Sequence, residues 1–127
     1  MRTVILDTNF LLIPHQFRIN IMEELERLIE GPHELAVSDA IVHELKGLAR
    51  GRGKEGVAAR VALEGIARKK IKTIKSAETN ADRWIAEYCA ENPGTIVCTN
   101  DIALRRELKA AGARIIVMRT RTRIFWA

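Results

Sequence analysis

Short, continuous apolar runs alternate along this chain with stretches in which apolar residues recur at helical spacing. Thr3-Val4-Ile5-Leu6 and Thr95-Ile96-Val97-Cys98 are runs of the kind found in strands buried on both faces. Glu34–Val37, Ile71–Ile74 and Arg114–Met118 read as further strands. Lys72 marks Ile71–Ile74 as an edge. Between the strands, Phe17, Ile21, Leu25 and Leu28 share one helical face, in a helix opened by Pro14 and stopped by Gly31-Pro32. Ile41, Leu45 and Leu48 line a second helix, capped by Ser38 or Asp39. Helices are also predicted over 57–69, 78–91 and 102–111, the last closed by Gly112. Alternating strands and helices imply a parallel sheet of about five strands with helices on both faces.

The chain has 127 residues, enough for one domain over 1–127 with a real core. No apolar run approaches the ~20 residues that cross a bilayer, and Asp7 and Asn9 interrupt any signal-like start. A cytoplasmic protein with no membrane partner is expected. Cys89 and Cys98 form no CxxC pair, and with His15, His33 and His43 they lack zinc-ligand spacing.

The formal charge is +5, and its distribution says more than its total. Ten cations lie between Lys46 and Lys75, opposed only by Glu55 and Glu64. Arg114, Arg119, Arg121 and Arg123 form a second basic group with no acid near it. Such clusters attract polyanions. Gly47, Gly51, Gly53 and Gly56 loosen the first cluster, so a mobile segment over 50–55 is expected, with Arg50, Arg52 and Lys54 placed to contact a nucleic-acid backbone.

Four acids stand out. Asp7 and Asp101 follow the two most apolar strands, where open parallel sheets place their ligands. Asp101 could equally cap the next helix. Glu44 lies between Ile41 and Leu45, turned toward their apolar face. Asp82 shares a helical face with Ile85 and Cys89. Asp39 and Glu78 read as caps or first-turn acids. A carboxylate cluster of this kind repels itself unless a cation intervenes. All-oxygen ligands suit Mg2+ or Mn2+, and such ions can bind a phosphodiester and acidify a water.

Leu6-Asp7-Thr8-Asn9, Glu44-Leu45, Asp82 with Ile85, and Thr99-Asn100-Asp101 together closely resemble the acidic motifs of PIN-domain ribonucleases. The likeness runs from the first strand to the fifth. It implies a three-layer α/β/α sandwich and a metal-dependent endoribonuclease acting on single-stranded RNA, leaving a 3′-hydroxyl and a 5′-phosphate. Asp7, Glu44, Asp82 and Asp101 then correspond to the family's catalytic, metal-binding quartet. Thr8, Asn9, Thr99 and Asn100 take its supporting polar positions. The small single-domain members include VapC-type toxins, which have an antitoxin partner, and ribosomal-RNA-processing proteins. Ile102-Ala103-Leu104-Arg105 lacks the further acid of many VapC toxins. In this respect the chain is more similar to the processing branch, although toxin-labelled members share the pattern.

Two other functions fit parts of the pattern. A nucleic-acid-binding subunit of the same fold, acting in RNA processing with little hydrolysis, would keep the acids. A phosphatase or response-regulator-like domain also places Asp at strand ends, but needs an arrangement that Val37-Ser38-Asp39 and the fifth strand do not give. A homodimer is expected. Ala58, Ala62 and Gly65 would let two helices approach, and Ile124-Phe125-Trp126 is too apolar for water.

Overall fold

The computed structural model describes residues 1–13, 15, 19–77 and 80–127. The elements are β1 (Arg2–Leu6), α1 (Thr8–Leu11), α2 (Ile21–Leu28), β2 (His33–Ser38), α3 (Asp39–Ala49), α4 (Lys54–Arg68), β3 (Lys72–Ile74), α5 (Ala81–Glu91), β4 (Ile96–Cys98), α6 (Ile102–Ala110), β5 (Arg114–Met118) and β6 (Ile124–Trp126). One six-stranded sheet has the order β3-β2-β1-β4-β5-β6. The first five strands are parallel, and β6 pairs antiparallel with β5.

That order explains the burial pattern. β1 and β4 are central neighbours, in register from Val4 opposite Ile96 to Leu6 opposite Cys98. Val4, Ile5, Ile96, Val97 and Cys98 are wholly buried, so these strands can be apolar at every position. β3 lies at one edge, where Lys72 reaches Glu34 at 3.4 Å.

From β1 the chain winds outward to β2 and β3, then returns to the other side of β1 for β4 and β5. Parallel crossovers are right-handed in nearly all proteins, so this reversal puts the two sets of helices on opposite faces. It also opens a crevice beyond the carboxyl ends of β1 and β4, where the direction changes. Asp7 and Asp101 both follow those ends.

The C-terminus corrects an expectation. Ile124–Trp126 is a sixth strand and not a surface left for a partner. Ile124 is wholly buried, and Arg114 lies over the Trp126 ring at 4.1 Å. On its outer side, Ile124 is gripped by a Glu24–Arg27 ion pair from α2. Glu24 Oε1 accepts the Ile124 N–H at 3.1 Å, and Arg27 Nη2 donates to the Ile124 carbonyl at 3.0 Å. Two side chains thus do for this edge strand what a seventh strand would do. A three-residue strand is too short to show alternation, so its partner could not be read from the chain.

The segment over 50–55 is likewise a tied turn. Gly53 has φ +89°, and a Cβ on Gly56 would come within 2.1 Å of the Gly51 carbonyl oxygen. Arg60 Nη1 donates to the carbonyls of Ala49 at 2.6 Å and Gly51 at 3.3 Å, closing the end of α3. α4 therefore begins at Lys54, three residues earlier than the pattern suggested. Ala58 and Ala62, expected on an exposed helix surface, are buried inside the chain. Pro14, Phe17 and Glu78 lie outside the described residues. α2 and α5 start instead at Ile21 and Ala81, where Asn20 and Asn80 accept the N–H groups of Glu23 and Arg83.

Among the described residues, no helix is long and apolar enough to cross a membrane.

Candidate active site

Asp7 sits between the last residue of β1 and the first of α1, and is only 4% exposed. Its backbone extends the sheet, since its N–H donates to the Cys98 carbonyl at 3.0 Å. Its side chain is held on both oxygens. Oδ1 accepts the Thr8 N–H at 2.9 Å, and Oδ2 accepts the Thr99 hydroxyl at 2.7 Å. Thr99 Oγ1 in turn accepts the Asp101 N–H at 3.1 Å. One hydroxyl therefore links the two strand-end acids.

The polar triplets after β1 and β4 interlock further. Asn9 Oδ1 accepts the Asn100 N–H at 3.4 Å, and Asn100 Oδ1 accepts the Met118 N–H at 2.9 Å, tying the end of β5 to the same rim. Asp101 is the N-cap of α6, accepting the Leu104 N–H on Oδ1 at 3.1 Å. It is also a wall of the cavity described next, so the cap and site readings hold together.

Asp7, Glu44, Asp82 and Asp101 line one open cavity of about 460 Å3, with Thr8, Asn9, Leu12, Leu48, Glu55 and Asn80. Two acids follow central strands and two project from α3 and α5. Glu44 and Asp82 are exposed, although each shares a helical face with buried apolar neighbours. They stand at the rim, where each helix passes from the core to the crevice. Glu55 was not singled out from sequence. It sits in the first turn of α4 and enters the cavity because the Gly51–Gly56 contact folds that helix back. Arg50, Arg52 and Lys54 are exposed on the same turn and do not line the cavity.

The electrostatics are those of crowded anions. Burial is the main force pushing the Asp7 carboxyl up to about 6. The Thr99 and Thr8 hydrogen bonds oppose it, and the charges of Asp82 and Glu44 add to it. Asp82 is raised by partial desolvation and then by Asp101, Glu44 and Glu107. Glu107, on α6, is a second acid that the pattern did not single out.

The donor set fits a hard cation in kind. It is all oxygen, and the buried Thr8 Oγ1 has no hydrogen-bond partner among the described residues. In spacing it fits only a hydrated one. Among the described residues, no three His, Cys, Asp or Glu side chains stand close enough to ligate one ion together. Mg2+ usually keeps several waters and takes one or two carboxylates directly, which this wider arrangement allows.

Residues 4–121 match the PIN like domain family. The chain belongs to that family. It is 34% identical over 122 residues to Ribonuclease VapC4 of Methanocaldococcus jannaschii, covering 94% of this chain and 92% of that protein. It is 29% identical over 126 residues to Ribonuclease VapC9 of Archaeoglobus fulgidus, covering 98% and 89%. The PIN domain endonuclease Utp24 shares the fold with a TM-score of 0.83 at 24% identity, over 98% of this chain and 90% of that one. A domain of a functionally unknown Methanocaldococcus jannaschii protein superposes with a TM-score of 0.63 at 22% identity, covering 94% and 93%. The PIN fold accounts for the mostly parallel sheet and for a crevice at its carboxyl end.

Proposed function

We propose that this PIN-family chain is a divalent-metal-dependent endoribonuclease whose site is the cavity lined by Asp7, Glu44, Asp82 and Asp101. The observation that carries it is the meeting of these four carboxylates, from four separate elements, around one cavity at the reversal point of the sheet. The names of the two ribonuclease relatives agree with it.

Each residue then has a role. Asp7, fixed on both oxygens by Thr8 and Thr99, is the rigid ligand position. Asp101 is held by its capping bond, while Glu44 and Asp82 reach in from the rim. Thr8 offers its free hydroxyl to the cation's water shell. Asn9, Thr99 and Asn100 fix the two strand ends against each other. A bound Mg2+ or Mn2+ would neutralise the phosphodiester and acidify an attacking water. Arg50, Arg52 and Lys54, in the turn between the lining residues Leu48 and Glu55, would hold the RNA backbone without proton chemistry.

One observation favours a second reading. No three of the acids stand close enough to ligate one ion together, which also suits a subunit that binds nucleic acid without cutting it. Incubating single-stranded and structured RNA with the protein in Mg2+, Mn2+ and EDTA separates the two. Cleavage that chelator abolishes supports the enzyme, and binding without cleavage supports the subunit.

A homodimer remains the proposed assembly, although its basis moves. Val57 and Val61, one helical turn apart on α4, are exposed beside an apolar hollow lined by Leu11, Ile21, Ala62 and Ile66. A second copy of the chain would cover them. An antitoxin protein is the other candidate for that face. Sedimentation of the purified chain tests the dimer, and a monomer of 14.3 kDa refutes it.

A further inference from the structure

The ribonuclease reading uses one of the two basic groups in the sequence. Arg119, Arg121 and Arg123 of the other lie at the same end of the sheet, while Arg114 begins β5 at the opposite end. β5 runs parallel to β4, so Met118 and the turn after it emerge at the carboxyl end, beside the Thr99-Asn100-Asp101 triplet. The Asn100–Met118 hydrogen bond fixes that neighbourhood directly. The turn reads Arg119-Thr120-Arg121-Thr122-Arg123, and all five residues are exposed.

This turn is held in shape. Thr120 Oγ1 accepts the N–H groups of Thr122 at 3.4 Å and Arg123 at 3.1 Å. One flank is β5, and the other is β6, gripped at Ile124 by Glu24 and Arg27. Arg123 faces that carboxylate, and its charge helps keep Glu24 ionised. Arg119 and Arg121 form no ion pair among the described residues, and no acid follows Glu107 in the chain. Two unneutralised guanidinium groups on a preformed turn suit phosphate better than a freely moving tail would.

The cavity walls set where they stand. Arg50, Arg52 and Lys54 lie between Leu48 of α3 and Glu55 of α4, both of which wall the cavity. Arg119 and Arg121 follow β5, the neighbour of β4, and Asp101 walls the cavity from the end of β4. A strand that touches both basic turns has to cross the acidic cavity between them.

We infer that the β5–β6 turn is a second phosphate-binding surface for single-stranded RNA, in which Arg119 and Arg121 hold the strand on the far side of the cavity from Arg50, Arg52 and Lys54. This rests on the ribonuclease reading and adds a direction to it: the substrate runs across the sheet from the α3–α4 turn to the β5–β6 turn. The contacts are to backbone phosphate and carry no base preference.

The test is fluorescence anisotropy in EDTA, with a long oligouridine and one too short to leave the cavity, across a salt series. Arg119→Gln with Arg121→Gln is expected to weaken binding of the long oligomer. The log–log salt slope should shrink by up to ~1.4, about 0.7 for each lost phosphate contact. The short oligomer should bind as to wild type, and Arg119→Lys with Arg121→Lys should restore most of the slope. An unchanged slope and affinity on the long oligomer, in a protein whose wild type cleaves RNA, overturns this inference and leaves the ribonuclease reading standing. Equal losses on both oligomers overturn it too, since the arginines would then act at or through the cavity itself. A wild-type protein that neither binds nor cleaves RNA overturns both.

Discussion

Thr99 donates its hydroxyl to Asp7 Oδ2 at 2.7 Å, joining residues 92 positions apart in the chain, and both are buried. Thr99 Oγ1 also accepts the Asp101 N–H, so Thr99 sets the spacing of the two strand-end acids. Replacing Thr99 by Val keeps the shape and removes both bonds. Leaving the Asp101 N–H and an Asp7 oxygen without that partner is expected to cost about 1–3 kcal/mol in denaturant unfolding. It should also raise the Asp7 pKa, because the Thr99 bond is the strongest force lowering it.

Asp7 gives the metal-free protein a defined pH dependence. Its pKa is raised from 3.8 to about 6 by folding, so the native state holds a proton that the unfolded chain releases. The stability from this group is complete below the unfolded value and is lost as pH rises through about 6. The loss should reach about 3 kcal/mol at neutral pH. Asp7→Asn cannot titrate. Unfolding curves should therefore show the variant gaining on wild type between acid and neutral pH, with no such divergence if the carboxyl is already ionised at pH 4. A divalent cation competes with the same proton, so metal affinity should rise over that window.

Thr8 separates stability from function. Its hydroxyl is buried without a hydrogen-bond partner among the described residues. Thr8→Val is expected to leave the metal-free protein as stable as wild type or stabler by about 1 kcal/mol, since no hydrogen bond is lost and an unsatisfied group is removed. Metal-dependent cleavage should fall in the same variant. Thermal melting in EDTA and turnover in Mg2+ give the two readouts, and a loss of stability without a loss of turnover would contradict the assignment.

The central strands, their terminal acids and the order of elements were legible because each rests on local pattern. A strand buried on both faces has to be apolar throughout, and polar residues at its end mark where it leaves the core. Long-range pairing was not legible. Nothing near Ile124 shows that Glu24 and Arg27, some hundred residues earlier, would take up its edge. Glu55 was hidden for a related reason: its place depends on the close contact of Gly51 and Gly56, and a glycine-rich stretch reads as loose when it is in fact tight. Glu44 and Asp82 were placed on apolar helical faces correctly enough to bring them to the crevice. Periodicity could not show that they stop at its rim, because helical angle alone does not say where the core ends.

The most direct measurement is the rate at which purified Asp7→Asn cleaves single-stranded RNA in Mg2+ or Mn2+, beside wild type with and without EDTA. Wild type should cut, chelator should abolish cutting, and the variant should lose most turnover while melting as a folded protein. Undiminished cleavage by Asp7→Asn, or cleavage by wild type that survives EDTA, would contradict a metal-dependent site built on Asp7.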